Sequence, residues 1–327
     1  MFTKIFNSNS IFSIVIFIVM TLVLWAKVFT NTIPMIAPIP ASPLYHLVFK
    51  LFNGLPVVCA FISIAMLVLQ ALLINHILVQ NDLIPRKSYI AAFLFVISLS
   101  FFNATIVLNP ALIAGLFIVS ALWLIFRLYE EEEAYQHVFN IGTLISIASM
   151  FYLPAVIFML LVWAGFIIYR IYKWREWFIS ILGFLWPYLF LATYYYWNDC
   201  LISKIVVYKT ALGFINLYDF SPTNYVYMVI AFLGLLTLAS VFKLLGVINE
   251  KQIRIRKFIS FLIWFLIISF VALSISAGFG INGFLIILVP FSVLFSLYLS
   301  FLKRSLIGDI ALLLLLMLII TGRLGVW

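Results

Sequence analysis

The sequence predicts an all-α polytopic integral membrane protein of about eleven transmembrane helices, and three observations predict it. Of the 327 residues 67% are hydrophobic, against roughly 45–50% in an ordinary soluble domain, which is more apolar surface than one globule can bury. Charged residues make up 9% and phenylalanine alone occurs 34 times. A hydrocarbon core of about 30 Å calls for roughly 20 apolar residues per helix, so the chain has room for about ten or eleven spans and no separate soluble domain.

The apolar runs, in order, fall near residues 11–28, 55–79, 89–102, 109–128, 139–151, 154–172, 178–197, 224–246, 257–276, 281–302 and 305–321. The first is too long for a signal-peptide core and lacks a small-residue cleavage site, so it reads as a retained helix. Two stretches organise the chain: 1–197, holding the first seven spans, and 198–327, an outer loop followed by four more. Basic residues stay on the cytoplasmic side of a membrane. With the N-terminus inside, that side collects fourteen of the nineteen, among them Arg86, Lys87, Arg127, Arg170, Lys173 and the run Lys251 to Lys257. Lys27, Lys50, Lys204, Lys209 and Arg323 fall outside. The pattern predicts a polytopic membrane protein with its N-terminus in the cytoplasm and its C-terminus outside. The net charge of +9 then reads as topology and attraction to anionic lipid, not as nucleic-acid binding.

The residue inventory narrows the chemistry. Cys59 lies in an apolar run and Cys200 in a polar loop, with no CxxC spacing and no disulfide framework. His46, His76 and His137 are too few for an iron centre built from four imidazoles. Glu130 to Glu133 are consecutive, so on a helix they point in different directions and repel; they read as a solvated cytoplasmic turn, not a metal cage. No metal and no cofactor is expected. Intramembrane charge is nearly absent, with Asp309 at the end of the last span as the acidic candidate, which leaves a proton relay or ion pathway little to work with.

Spans three and five are short, at roughly 14 and 13 residues by their apolar runs, too few to cross unless protein surrounds their outer ends. They predict a cavity opening outward. The segment Phe29 to Gly54 points to the same side, with four prolines and an amphipathic stretch carrying Tyr45, His46 and Lys50. His46 and Lys50 share a helical face at i, i+4. At the opposite boundary the elbow "KWREW", Lys173 to Trp177, reads as an interfacial anchor in which Trp174 and Trp177 sit at headgroup depth and Arg175 and Glu176 face water.

These segments carry a resemblance. "SPLYHLVFKLFNG", "FFNATIVLNPALIAGLFIVSALWLIFRLY" and "FNIGTLISIASMFYLPAVIFMLLVWAGFIIYRIYKWREWFISILGFLWPYLF" resemble the proline-leucine-tyrosine juxtamembrane segment, the third and fourth helices, and the proline turn with basic elbow of the C-type glycosyltransferases, which include protein mannosyltransferases and aminoarabinose transferases. The likeness covers about residues 11–197. The elbow also resembles a family of polytopic inner-membrane proteins from Bacteroidota. The resemblance implies a C-type glycosyltransferase-like arrangement and a polyprenyl-phosphate sugar as ligand. It also implies an acid in the first outer loop, often a second in the next, and often a lysine before the proline turn. This chain has no Asp or Glu between Phe29 and Gly54, Leu108, Asn109 and Pro110 at the second position, and Met150 to Leu153 at the third.

Outer polar chemistry gathers in the loop Asn198 to Asn224. In one reading Lys204, Tyr208 and Lys209, with His46 and Lys50, hold a carrier phosphate while Asp199 or Asp219 acts as base. In the other the lysines snorkel and the tyrosines form an interfacial belt. Two functional expectations follow: a transferase-like protein that takes a lipid-linked sugar, or a non-catalytic subunit or scaffold of an envelope, secretion or surface-motility assembly that binds lipid or a membrane-protein partner.

Overall fold

The structure is a computed structural model that describes residues 11–25, 35, 37, 41–85, 88–101, 108–129, 134–213, 224–275, 282–302 and 305–323. Glu130 to Glu133 and Asp219 lie outside the described residues. Among those described every regular element is helical. In chain order they are α1 (Ile11–Trp25), α2 (Pro43–Phe52), α3 (Pro56–Gln80), α4 (Ile90–Leu99), α5 (Pro110–Arg127), α6 (Tyr135–Phe151), a 3-10 turn (Leu153–Phe158), α7 (Met159–Tyr169), α8 (Trp174–Trp197), α9 (Leu201–Gly213), α10 (Asn224–Val247), α11 (Ile253–Ile275), α12 (Asn282–Phe301) and α13 (Ser305–Arg323). Each predicted span meets a helix. Six of them, α3, α5, α8, α10, α11 and α12, are long and apolar enough to cross a membrane. The chain is an all-α membrane protein.

Proline sets several starts. Pro43, Pro56 and Pro110 occupy first-turn positions, where a missing N–H costs nothing and φ is already helical. Pro154 instead ends a helix: Tyr152 turns to extended backbone (φ −140°, ψ 101°) and the chain restarts through the 3-10 turn. Several boundaries differ from the sequence reading. Helix α6 starts at Tyr135, four residues earlier than expected, so this span is 17 residues long. Helix α4 is shorter, at 10 residues. Helix α8 begins at Trp174, which folds the elbow into its first turn.

The centre of the bundle is α4, all ten of whose residues are buried. At about 1.5 Å per residue it spans roughly 15 Å, half a hydrocarbon core, and so cannot face lipid along a full crossing. Helices α1, α3 and α12 pack around it. Helix α12 also packs on α5, and α11 on α7, so the stretches 1–197 and 198–327 share one core. Helix α8 is peripheral, with 11% of its most apolar window buried, whereas 72% is buried in α5 and in α12. The exposed apolar side chains of α3, α8, α10 and α11, such as Phe61, Leu185, Leu235 and Ile267, form the lipid-facing surface. Five buried serines inside the helices satisfy themselves: Ser63, Ser98, Ser240, Ser269 and Ser296 each donate to a carbonyl three or four residues back at 2.7–2.9 Å.

Candidate functional site

One end of the bundle is built on two packed segments. Helix α2 exposes His46, Leu47, Lys50 and Leu51 and turns Tyr45 inward. The Tyr45 hydroxyl donates to the Leu108 carbonyl at 3.3 Å, and Tyr45, Cys59, Leu108 and Ile113 form a small second core. Burial, followed by the nearby Cys59 thiol, raises the Tyr45 pKa, so its hydroxyl is a neutral hydrogen-bond donor. Asn109, which stands where the resemblance implies an acid, is fully buried and caps α5: its Oδ1 accepts from the Leu112 N–H at 2.7 Å. Before Pro154, where the resemblance implies a lysine, Met150, Tyr152 and Leu153 are buried. Both positions therefore hold structural side chains.

The second segment is the hairpin of α8 and α9. Its turn is a Schellman motif: Asp199 adopts φ 53°, its N–H donates to the Tyr196 carbonyl at 3.1 Å, and the Cys200 N–H donates to the Tyr195 carbonyl at 3.0 Å. Asn198 closes it, donating its side-chain amide to the Tyr194 carbonyl at 2.8 Å. The same Asn-Asp turn ends α3, where Asp82 has φ 53° and Asn81 donates to the Ile77 carbonyl at 2.7 Å. Asp199 is thus placed by backbone geometry on an exposed turn.

Lys204 lies with its ammonium 5.7 Å from the centre of the Tyr195 ring, and Lys209 is exposed. Tyr208 is half-buried against Tyr195 and Tyr188; burial first, then those two phenols, pushes its pKa up and keeps it protonated. Tyr188 ties the hairpin to α6 through a 2.7 Å hydrogen bond with the Ser149 hydroxyl. The structure therefore joins Lys204 and Tyr208 to Tyr188, Tyr195 and Ser149, which sequence reasoning passed over. The run "TYYYW", Thr193 to Trp197, was the available signal. His46 and Lys50 are on α2, which makes no extensive packing with α9 among the described residues. The cavity expected above spans three to six would involve segments 29–34, 102–107 and 214–223, which lie outside the described residues.

At the other end the elbow divides. Trp174 is 71% exposed and Arg175 is exposed. Glu176 is 3% exposed, contrary to the water-facing position expected of it. It occupies the first turn of α8, where the positive end of the helix dipole favours a carboxylate. Trp177 also turns inward: it stacks on Trp163 at 6.2 Å, meets Phe166 edge-on at 5.5 Å, and donates its indole N–H to the Ile171 carbonyl at 3.1 Å. Among the described residues no three His, Cys, Asp or Glu side chains cluster as metal ligands.

No curated protein and no solved structure matches the chain. A family model described as a family of unknown function, DUF6427, matches residues 1–323. The chain therefore belongs to the DUF6427 family.

Proposed function

We propose that the chain is a catalytically degenerate relative of the C-type glycosyltransferases that binds a polyprenyl-phosphate sugar, or a related lipid, at the outer end of a bacterial inner-membrane bundle. In this reading all eleven predicted spans enter the membrane, the N-terminus is cytoplasmic and the C-terminus is outside. The observation that carries the reading is Lys204 held against the Tyr195 ring beside the protonated Tyr208 hydroxyl, at the boundary end of a hairpin open to lipid. A cation with a neutral hydroxyl donor can hold a phosphate through charge-assisted hydrogen bonds. No general base is required, in keeping with Asn109 as a buried cap and Asp199 as an exposed turn residue.

The test is binding of polyprenyl phosphate, compared with the uncharged polyprenol, to the protein in nanodiscs. Trp197, 88% exposed at the end of α8, serves as the reporter. Phosphate-dependent quenching, weakened about tenfold or more in a Lys204→Ala, Lys209→Ala double variant, supports the reading. Equal quenching by carrier and alcohol overturns it.

The second reading, a non-catalytic subunit or scaffold of an envelope, secretion or surface-motility assembly, is favoured by the surface of the same hairpin, where Trp197, Ile202 and Val206 are all exposed. Site-specific photo-cross-linking from Ile202 in cells separates the two, since a scaffold yields one defined protein adduct and a carrier site yields lipid adducts.

A further inference from the structure

A second site stands at the opposite end of the bundle from the tyrosine hairpin. Helix α10 continues into a 3-10 turn, Ile248–Glu250, and α12 ends at Phe301; between these ends lies a cavity of about 390 Å³, within the roughly 300–1,000 Å³ typical of small-ligand sites. Glu250 and Phe301 are also the last residues of the two membrane-spanning stretches. The cavity therefore straddles the plane where hydrocarbon gives way to headgroups.

Its walls are of two kinds. Phe242, Val247 and Phe301 are apolar, and Phe242 is exposed on the lipid side. Lys243, Lys251 and Glu250 are charged. The Lys251 ammonium is poised 4.2 Å from the centre of the Phe301 ring, held at the seam between the two kinds of wall. Gly246 lines the same cavity, and a Cβ at that position would meet nothing within 4 Å, so the helix surface there is open. Among the described lining residues two ammoniums and one carboxylate leave a single positive charge. That is the complement of one phosphodiester.

We propose that this cavity binds the headgroup of a monoanionic phospholipid. Lys243 and Lys251 donate to the phosphodiester oxygens, Glu250 accepts from a headgroup hydroxyl, and the acyl chains lie along Phe242 and Phe301. The apolar half of the wall, opening at the lipid boundary, favours a lipid over a free anion. The site shares no residue with the outer hairpin, so it stands or falls separately from the function proposed above.

The full chain, purified in detergent, is titrated with phosphatidylglycerol, and retained lipid is counted by native mass spectrometry. Phosphatidylcholine and inorganic phosphate are run as competitors. The expected result is retention of phosphatidylglycerol that neither competitor displaces, reduced about tenfold or more in a Lys243→Ala, Lys251→Ala double variant and unchanged in Lys50→Ala at the other end of the bundle. Gly246→Leu leaves every charge in place and fills the open wall, so it should lower retention as well; it decides the matter if the lysine variant does not fold. Equal retention by wild type and Gly246→Leu, equal retention of phosphatidylcholine, or displacement by inorganic phosphate would each overturn the proposal.

Discussion

Gly142 on α6 and Gly183 on α8 mark a crossing at which the two backbones touch: a Cβ on Gly142 would fall on the Ser180 carbonyl oxygen, and one on Gly183 on the Phe139 carbonyl oxygen. Thr143 seals the crossing by donating to the Gly183 carbonyl at 3.2 Å. Lipid tails are as apolar as leucine, so helix association in a membrane relies on such close packing between small residues. Gly142→Ala and Gly183→Ala should each destabilise by about 1–3 kcal/mol, as overpacking does elsewhere. Gly234→Ala is the control, because nothing lies within 4 Å of its Cβ position. Thermal melts in one detergent check all three.

Asp199 offers a second measurement. A non-glycine residue at φ 53° carries a steric cost of roughly 1–2 kcal/mol that glycine avoids. Asp199→Gly should hold or raise the melting temperature and complement a deletion strain fully. Loss of complementation at normal abundance would restore Asp199 as a chemical group.

The tyrosine hairpin should show itself at high pH. The folded pKa of Tyr208 is raised above its ordinary 10.0, so the folded state holds this proton more tightly than the unfolded chain does. Its contribution to stability is complete below pH 10.0 and is lost as pH climbs through the raised value. Ultraviolet titration of tyrosinate should lose a late-ionising group in Tyr208→Phe, and the alkaline fall in melting temperature should soften.

Trp174 and Trp177 separate an exposed indole from a packing one. Trp174→Ala, at an exposed site, should stay within about 0.5 kcal/mol of neutral. Trp177→Ala should exceed that clearly, since it removes two ring contacts and an indole hydrogen bond. Trp177→Phe should recover part of the loss.

The native cysteines test the orientation. Cys200 is exposed and Cys59 is buried. On intact cells a membrane-impermeant maleimide should therefore label the wild type, spare Cys200→Ala, and spare a Cys200→Ala chain carrying Lys257→Cys until the membrane is opened. Labelling of Lys257→Cys from outside would invert the proposed orientation.

How much of this was legible follows from what hydropathy measures. Apolar runs and prolines located a helix at each predicted span, six of them long and apolar enough to cross a membrane, and Pro110 and Pro154 marked a start and a stop. Hydropathy does not distinguish lipid from protein as the neighbour. "IAAFLFVISL" of α4 and "FLWPYLFL" of α8 both lie in apolar runs, yet the first is wholly buried and the second has no buried residue. The inward Glu176 was illegible for a related reason: its burial rests on its place in the first turn of α8, and sequence reading started that helix four residues later. In the α8–α9 hairpin Lys204 and Tyr208 were named from their residue types, while Tyr188 and Ser149 depend on the contact between α6 and α8.

The burial of α4 also orders the protein's synthesis. Half a membrane thick, Ile90–Leu99 leaves the ribosome roughly two hundred residues before α12, Asn282–Phe301, which forms part of its wall. At about 5–20 residues per second that interval is on the order of 10–40 s. During it the short helix lies beside α1 and α3 with one flank uncovered, a state for an insertase or chaperone to shield. A nascent chain cut before α12 would expose that flank permanently, making the last third of the gene a checkpoint on the first.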